Sequence, residues 1–200
     1  MAQKDIWIKD AAEGEDAHLR ILNKPPDVTR LAWYRGKVPD KDHIIAFLSQ
    51  IPNFNVRIPE SGHTILNSDG SLLIKKVNMH DSGIYTVAVE QKNSKILMGY
   101  GLLRVYPRVK KPTLRASNTT VTENKDAVVF TCNSSYALNI QWFFNGKKMR
   151  STQRMKLSKG YRRLTIKPVK REDAGKYQCK ASNPISSAAS VTLKLNVNFE

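Results

Sequence analysis

The sequence predicts an all-β protein of two tandem β-sandwiches, the first without a bridge between its sheets and the second with one. Three observations carry that reading. The stretch SLLIKKVNMHDSGIYTV (71–87) lies over RLTIKPVKREDAGKYQC (163–179) at a constant offset of 92 residues, matching Leu72 with Leu164, Ile74 with Ile166 and Val77 with Val169. Each copy is preceded by a tryptophan stretch, LAWYRG around Trp33 and IQWFFNG around Trp142. The two cysteines, Cys132 and Cys179, both belong to the second copy. A chain of 200 residues has room for two domains of about 100, each large enough to close its own core.

In each copy apolar residues alternate before the turn, which marks a strand with one buried face, and Asp-x-Gly then leads into a second strand opened by Tyr85 or Tyr177. Cys132, then Trp142 ten residues on, then DAGKYQC ending in Cys179 is the framework of an immunoglobulin sandwich. There a buried Trp packs on the inter-sheet disulfide and the Tyr hydroxyl bonds back to its corner. Neither cysteine sits in a CxxC pair or near a histidine at metal-ligand spacing, so a Cys132–Cys179 disulfide is expected, with two buried reduced thiols as the alternative. Closing that loop contributes roughly 4 kcal/mol in the chain-entropy model. A disulfide implies an oxidising, extracellular setting, and the sequons at Asn118 and Asn133 agree with it.

The first copy is longer between its Trp and Tyr, 52 positions against 35 in the second. That length suits two additional strands, the variable-type layout, with HIIAFLSQ as one of them; the second copy reads as a constant or intermediate type. Val87 stands where the second copy has Cys179, and the residue facing it is Leu19 or Ile21 of AHLRIL. An aliphatic contact takes the place of the bridge, since one buried valine contributes about 1.5–3 kcal/mol. Trp7 in DIWIKD turns inward or outward equally well by alternation. Pro107 and Pro112 flank a basic run, and the boundary is placed after Pro107, giving domains 1–107 and 108–200.

A cysteine-free variable-type domain containing EGED, WYRG and ESGHTILNSDGSLLIKKVNMHDSGIYTV, joined through VYP to a domain with ENKDAVVFTC, RMKLS, EDAGKYQC and SNPISS, resembles the carcinoembryonic-antigen-related adhesion molecules and the pregnancy-specific glycoproteins. Hepatocyte-type adhesion molecules share part of the pattern. The resemblance implies a cell-surface or secreted glycoprotein that binds a family member, itself or another surface protein through the sheet of strands C, C′, F and G. On this chain that face is expected to present Thr29, Leu31, Tyr34, Ile44, Ala88 and Glu90. Glu90 puts a charge where the family's patch is apolar, and a charge meeting its own image across a two-fold axis is unfavourable. His63 stands where the family has an arginine that pairs with the Asp of the turn, here Asp81, so the tie is expected to hold better when the imidazole is protonated.

Charge divides the two halves. Residues 1–107 hold 14 Lys plus Arg against 12 Asp plus Glu, and residues 108–200 hold 19 against 5. Within RMKLSKGYRRLTIKPVKR, alternation is expected to bury Met155, Leu157, Leu164 and Ile166, projecting Arg154, Lys156, Arg163 and Lys167 from the outer face. Such a stripe can collect a polyanion by releasing its counterions, and heparan sulfate is the extracellular candidate. Nucleic acid is not expected, because no exposed aromatic residues interleave the cations. No cofactor, metal or catalysis is expected: the histidines (18, 43, 63 and 80) show no ligand spacing, and no Ser-His-Asp motif, carboxylate pair or glycine-rich phosphate loop is present. The longest apolar run, Ile44 to Leu48, falls far short of the roughly 20 residues that span a bilayer. The opening MAQKDIWIKD lacks a signal-peptide core and reads as a mature region.

Overall fold

A computed structural model describes residues 6–50, 55–57 and 62–199. The chain divides into two compact units, Met1–Tyr106 and Pro107–Glu200, each built from facing sheets. Among the described residues no helix is long and apolar enough to cross a membrane.

The first unit runs β1 (Ile6–Ala12), β2 (Ala17–Leu19), β3 (Val28–Arg35), β4 (Ile44–Ser49), β5 (Asn55–Arg57), β6 (Thr64–Leu66), β7 (Leu72–Ile74), β8 (Gly83–Gln91) and β9 (Ile96–Tyr106). One sheet has the order β1-β9-β8-β3-β4-β5 and the other β2-β7-β6. HIIAFLSQ supplies β4, and β4 with β5 stand where the second unit has the single two-residue strand Lys147–Lys148, so the first unit is longer here by one strand.

The second unit runs β10 (Thr113–Ala116), β11 (Thr120–Thr122), β12 (Val128–Asn133), β13 (Asn139–Phe144), β14 (Lys147–Lys148), β15 (Met155–Leu157), β16 (Arg163–Ile166), β17 (Gly175–Asn183), β18 (Ser186–Ala189) and β19 (Leu193–Asn198). Its sheets are β10-β12-β16-β15 and β11-β19-β17-β13-β14, with β18 paired to β17.

Each residue of the repeated Asp-x-Gly-x-Tyr frame has a separate physical task. The Asp81 carboxylate accepts from the Asn78 N–H at 2.8 Å and caps the single turn Met79–Asp81. Gly83 has φ 141°, and a Cβ there would stand 3.0 Å from the Arg35 guanidinium. The Tyr85 hydroxyl donates to the Asp81 carbonyl at 2.6 Å, and Tyr177 does the same to Asp173 at 2.6 Å. Burial pushes the Tyr85 phenol up to about 12 against the pull of Arg35, and burial raises Tyr177 as well.

Both tryptophans lie between the sheets, and their indole N–H groups find backbone acceptors, Gly70 at 2.8 Å for Trp33 and Tyr161 at 2.7 Å for Trp142. Trp33 pairs with Val87 across β3 and β8, as Trp142 pairs with Cys179 across β13 and β17. Cys132 and Cys179 are bonded, their Cα atoms 6.3 Å apart. Trp7 turns inward, and its ring occupies the space over Gly101, where a Cβ would lie 1.8 Å from it.

Strand register identifies the first unit's substitute for the bridge. Leu19 pairs with Leu72 as Phe130 pairs with Leu164, so the residue two further on, Ile21, stands where Cys132 stands. Ile21 and Val87 border an apolar cleft of about 210 Å³ with Trp7 and Leu97. The paired variant Ile21→Cys/Val87→Cys is therefore expected to close a disulfide under oxidising conditions. It should stabilise the first unit by about 2–4 kcal/mol, read by thiol counting and by denaturant melts with and without reductant. Two free thiols in the folded variant would refute the assignment.

Candidate functional site

Inward placement of Trp33 sends its neighbours Ala32 and Tyr34 to the opposite side of the sheet. Cross-strand register then builds three rows on that outer side. The first is Ile44–Tyr34–Thr86–Tyr100, the second Phe47–Ala32–Ala88–Met98 and the third Ser49–Arg30–Glu90–Ile96. A bulge between Trp33 and Tyr34 makes Ile45 the extra residue of β4; Ile45 packs inward while Ile44 faces out. The first two rows carry no charge. Ile96 is 59% exposed, Tyr34, Phe47, Ala88, Met98 and Tyr100 are half-buried, and Ala32, Ser49 and Thr86 are buried, the Thr86 hydroxyl donating to the Gly36 carbonyl at 2.6 Å. The Tyr100 hydroxyl donates to the Met98 thioether at 3.5 Å, which holds both side chains along β9.

This register corrects one of the residues expected on the face. Leu31 shares the inward parity of Trp33 and is 2% exposed, so it belongs to the core. Thr29 is the extra residue of a second bulge, between Val28 and Arg30; it is half-buried, and its hydroxyl donates to the Glu90 carbonyl at 3.2 Å. Tyr34, Ile44, Ala88 and Glu90 do meet on the outer side. Glu90 is not a lone charge there, because Arg30 Nη1 lies 3.9 Å from its carboxylate, a weak surface pair that answers the charge within its own sheet. Phe47, Ile96, Met98 and Tyr100 complete the surface; in β9 the alternation Ile96, Met98, Tyr100 is the signal for its three.

The Asp of each corner is tied by a different side chain. His63 Nε2 lies 3.1 and 3.0 Å from the two Asp81 oxygens. In the second unit the partner of Asp173 is Arg154, which donates through both Nη1 and Nη2, the latter at 3.2 Å, and also reaches Glu172 at 3.6 Å. Hydrogen bonding to Asp173 raises the Arg154 pKa further. Arg154 therefore leaves the expected cationic stripe: its guanidinium is turned into the corner and only 20% exposed. Leu157, expected to be buried, is 40% exposed at the sheet edge.

The outer face of the β10-β12-β16-β15 sheet keeps Lys156, Arg163 and Lys167 and gains Arg115. Arg115 and Arg163 flank Thr131 from either side, while Lys156 pairs directly with Thr165, the residue between Arg163 and Lys167. All four cations are exposed. The described acidic residues of this unit, Glu123, Asp126, Glu172 and Asp173, gather at one end, in the β11–β12 turn and in Arg171–Asp173. Arg171 holds Glu123 at 2.6 Å and Val169 bonds back to Asp126, which joins those two segments.

Serine, histidine and aspartate also meet in the first unit, in an order that builds a turn rather than a nucleophile. The Ser71 hydroxyl donates to Asp69 at 2.6 Å and lies 2.9 Å from His18 Nε2, and Ser71 is 3% exposed. Those bonds from Ser71 hold the Asp69 carboxyl below the usual range. Among the described residues no group of three or more His, Cys, Asp or Glu is placed to hold a metal ion.

Residues 8–106 match the family model described as the immunoglobulin V-set domain, and residues 111–183 match one described as an immunoglobulin domain. The chain is 37% identical over 192 residues to pregnancy-specific glycoprotein 22 of Mus musculus, spanning 95% of this chain and 40% of that protein. It is 32% identical to the cell adhesion molecule CEACAM15 of Mus musculus, spanning 94% of this chain and 81% of that one. Among solved structures, murine CEACAM1b superposes with a TM-score of 0.86 at 36% identity, over 94% of this chain and 96% of that one. A chain in the crystal structure of a mouse coronavirus receptor-binding domain complexed with its murine receptor gives 0.84, with the same identity and coverage.

The Arg154–Asp173 pair carries the stability prediction. Asp173 is 3% exposed, so Arg154→Ala strands a buried carboxylate and is expected to destabilise the second unit by about 3–5 kcal/mol in denaturant melts. An equal melt for wild type and variant would show that the corner does not need the pair.

Proposed function

The chain belongs to the immunoglobulin-like family of carcinoembryonic-antigen-related cell adhesion molecules and pregnancy-specific glycoproteins, and we propose that it is an extracellular recognition module, secreted or part of a surface ectodomain. Its first unit binds a protein partner through the outer face of β9-β8-β3-β4. The observation that carries this reading is the pair of uncharged rows, Ile44–Tyr34–Thr86–Tyr100 and Phe47–Ala32–Ala88–Met98. Aromatic and methionine side chains around small residues are the composition of an interface centre, with the Arg30–Glu90 pair as its polar rim. The related chain of similar fold solved with a viral receptor-binding domain supports a protein partner of this kind.

Ala88→Arg places a long cation in the middle of these rows, on the side of the sheet away from the core. It is expected to weaken self-association in sedimentation velocity, or capture of a CEACAM1b ectodomain, by more than about tenfold. Unchanged binding in both assays, with an unchanged melt, would remove this face from the function.

A second reading rests on the segregation of charge in the second unit. Arg115, Lys156, Arg163 and Lys167 share one sheet face while the described acids sit at one end, so this face is suited to a sulfated polyanion such as heparan sulfate. Reversing Lys156, Arg163 and Lys167 to Glu is expected to abolish salt-dependent retention on heparin. Retention of the triple variant at the wild-type salt concentration would end this reading.

A further inference from the structure

We propose that Asn133 carries an N-linked glycan and that this glycan is a gate over the cationic face, so that the modification state of one side chain sets how well the second unit holds a polyanion. The proposal rests on the polyanion reading given above. Asn133 is the last residue of β12, exposed, and opposite Thr113 in β10. Inward burial of Phe130 and Cys132 places Thr131 and Asn133 on the outer side of the sheet, the side of the cations. Thr131 is flanked by Arg115 and Arg163, which makes both arginines diagonal neighbours of Asn133 at about 7–8 Å by ordinary sheet spacing.

The rest of the Asn-Ser-Ser sequon follows the end of β12. Ser134 is tied back, its hydroxyl donating to the Lys110 carbonyl at 3.1 Å and its carbonyl accepting from Arg162 at 3.3 Å. Ser135, which supplies the sequon hydroxyl, is exposed. In the transfer, the Asn133 side-chain nitrogen attacks the anomeric carbon of an oligosaccharide activated as a lipid pyrophosphate. The new C–N bond replaces the sugar–phosphate C–O bond, the lipid pyrophosphate leaves, and the amide gives up one proton. Once attached, the first sugars stand where a polyanion must lie to reach Arg115 and Arg163 together. Any acidic sugars further out fall within a Debye length of those cations and compete for them.

The test uses the 200-residue chain secreted from a mammalian host, with Asn118-Thr-Thr intact in every sample so that its own modification cancels. Peptide mapping reads occupancy at Asn133, and heparin binding is measured across a salt series for wild type, Ser135→Ala and Asn133→Gln. Ser135→Ala removes the acceptor sequence while leaving Asn133 in place, and Asn133→Gln repeats the result with a second substitution. The expected result is a glycan on wild-type Asn133, with both variants binding about three- to tenfold tighter and with a salt slope steeper by about one to two counterions. An unmodified Asn133, or equal affinities with and without its glycan, overturns the gate and leaves the polyanion reading standing. Failure of every form to bind heparin overturns the polyanion reading and the gate with it.

Discussion

Everything else in this molecule follows from lodging one tryptophan between two sheets. An indole is large, and its N–H must find an acceptor once water is gone, so Trp33 is committed to the Gly70 carbonyl and Trp142 to that of Tyr161. With the ring pinned, β3 cannot slide by one residue against β8, because a slip would carry Leu31, Trp33, Val87 and Val89 out to water together. The same pinning decides which residues face away from the core, and the three outward rows of the first unit are that other side of the sheet.

The repeated corner shows how one backbone device tolerates different side-chain chemistry. In both units an aspartate caps a single turn, a glycine takes a left-handed conformation and a tyrosine hydroxyl closes back onto the turn. Around that constant frame the neighbours differ. Arg35 donates to the carbonyls of His80, Asp81 and Ser82, whereas its counterpart two residues past the other tryptophan is Phe144, which packs on Tyr177 with ring centroids 4.9 Å apart. The carboxylate is held by a histidine in one unit and an arginine in the other. Backbone geometry sets the corner, and the cations around it adjust its strength.

Both sandwiches, their corners and the disulfide were legible from spacing, because large side chains at fixed intervals leave few ways to bury them, and the longer interval of the first unit holds one additional strand where two were expected. The faces were less legible, and the reasons are local. Leu31 was assigned outward beside Tyr34 although an odd separation in a strand means opposite sides. Arg154 escaped identification as the corner's cation because it lies 91 residues from His63 where the rest of the repeat is offset by 92, a one-residue difference that pattern alignment absorbs. Arg115 reaches the cationic face through pairing with a strand more than ten residues away, and the outward residues of β9 have no equivalent in the repeated segment. Alternation within one strand is written locally; adjacency between strands is not.

Placing the only sulfur bridge in the second unit also divides the chain in its dependence on redox conditions. The first unit reaches its packed state with Ile21 and Val87 in place of a cystine, so its outward rows need no oxidant to form and lose nothing to a reductant. In the second unit the sheets are joined by a bond that a reducing environment can open. Opening that bond therefore acts on the basic half while sparing the apolar surface of the other, so the two faces respond separately to the redox state of their surroundings.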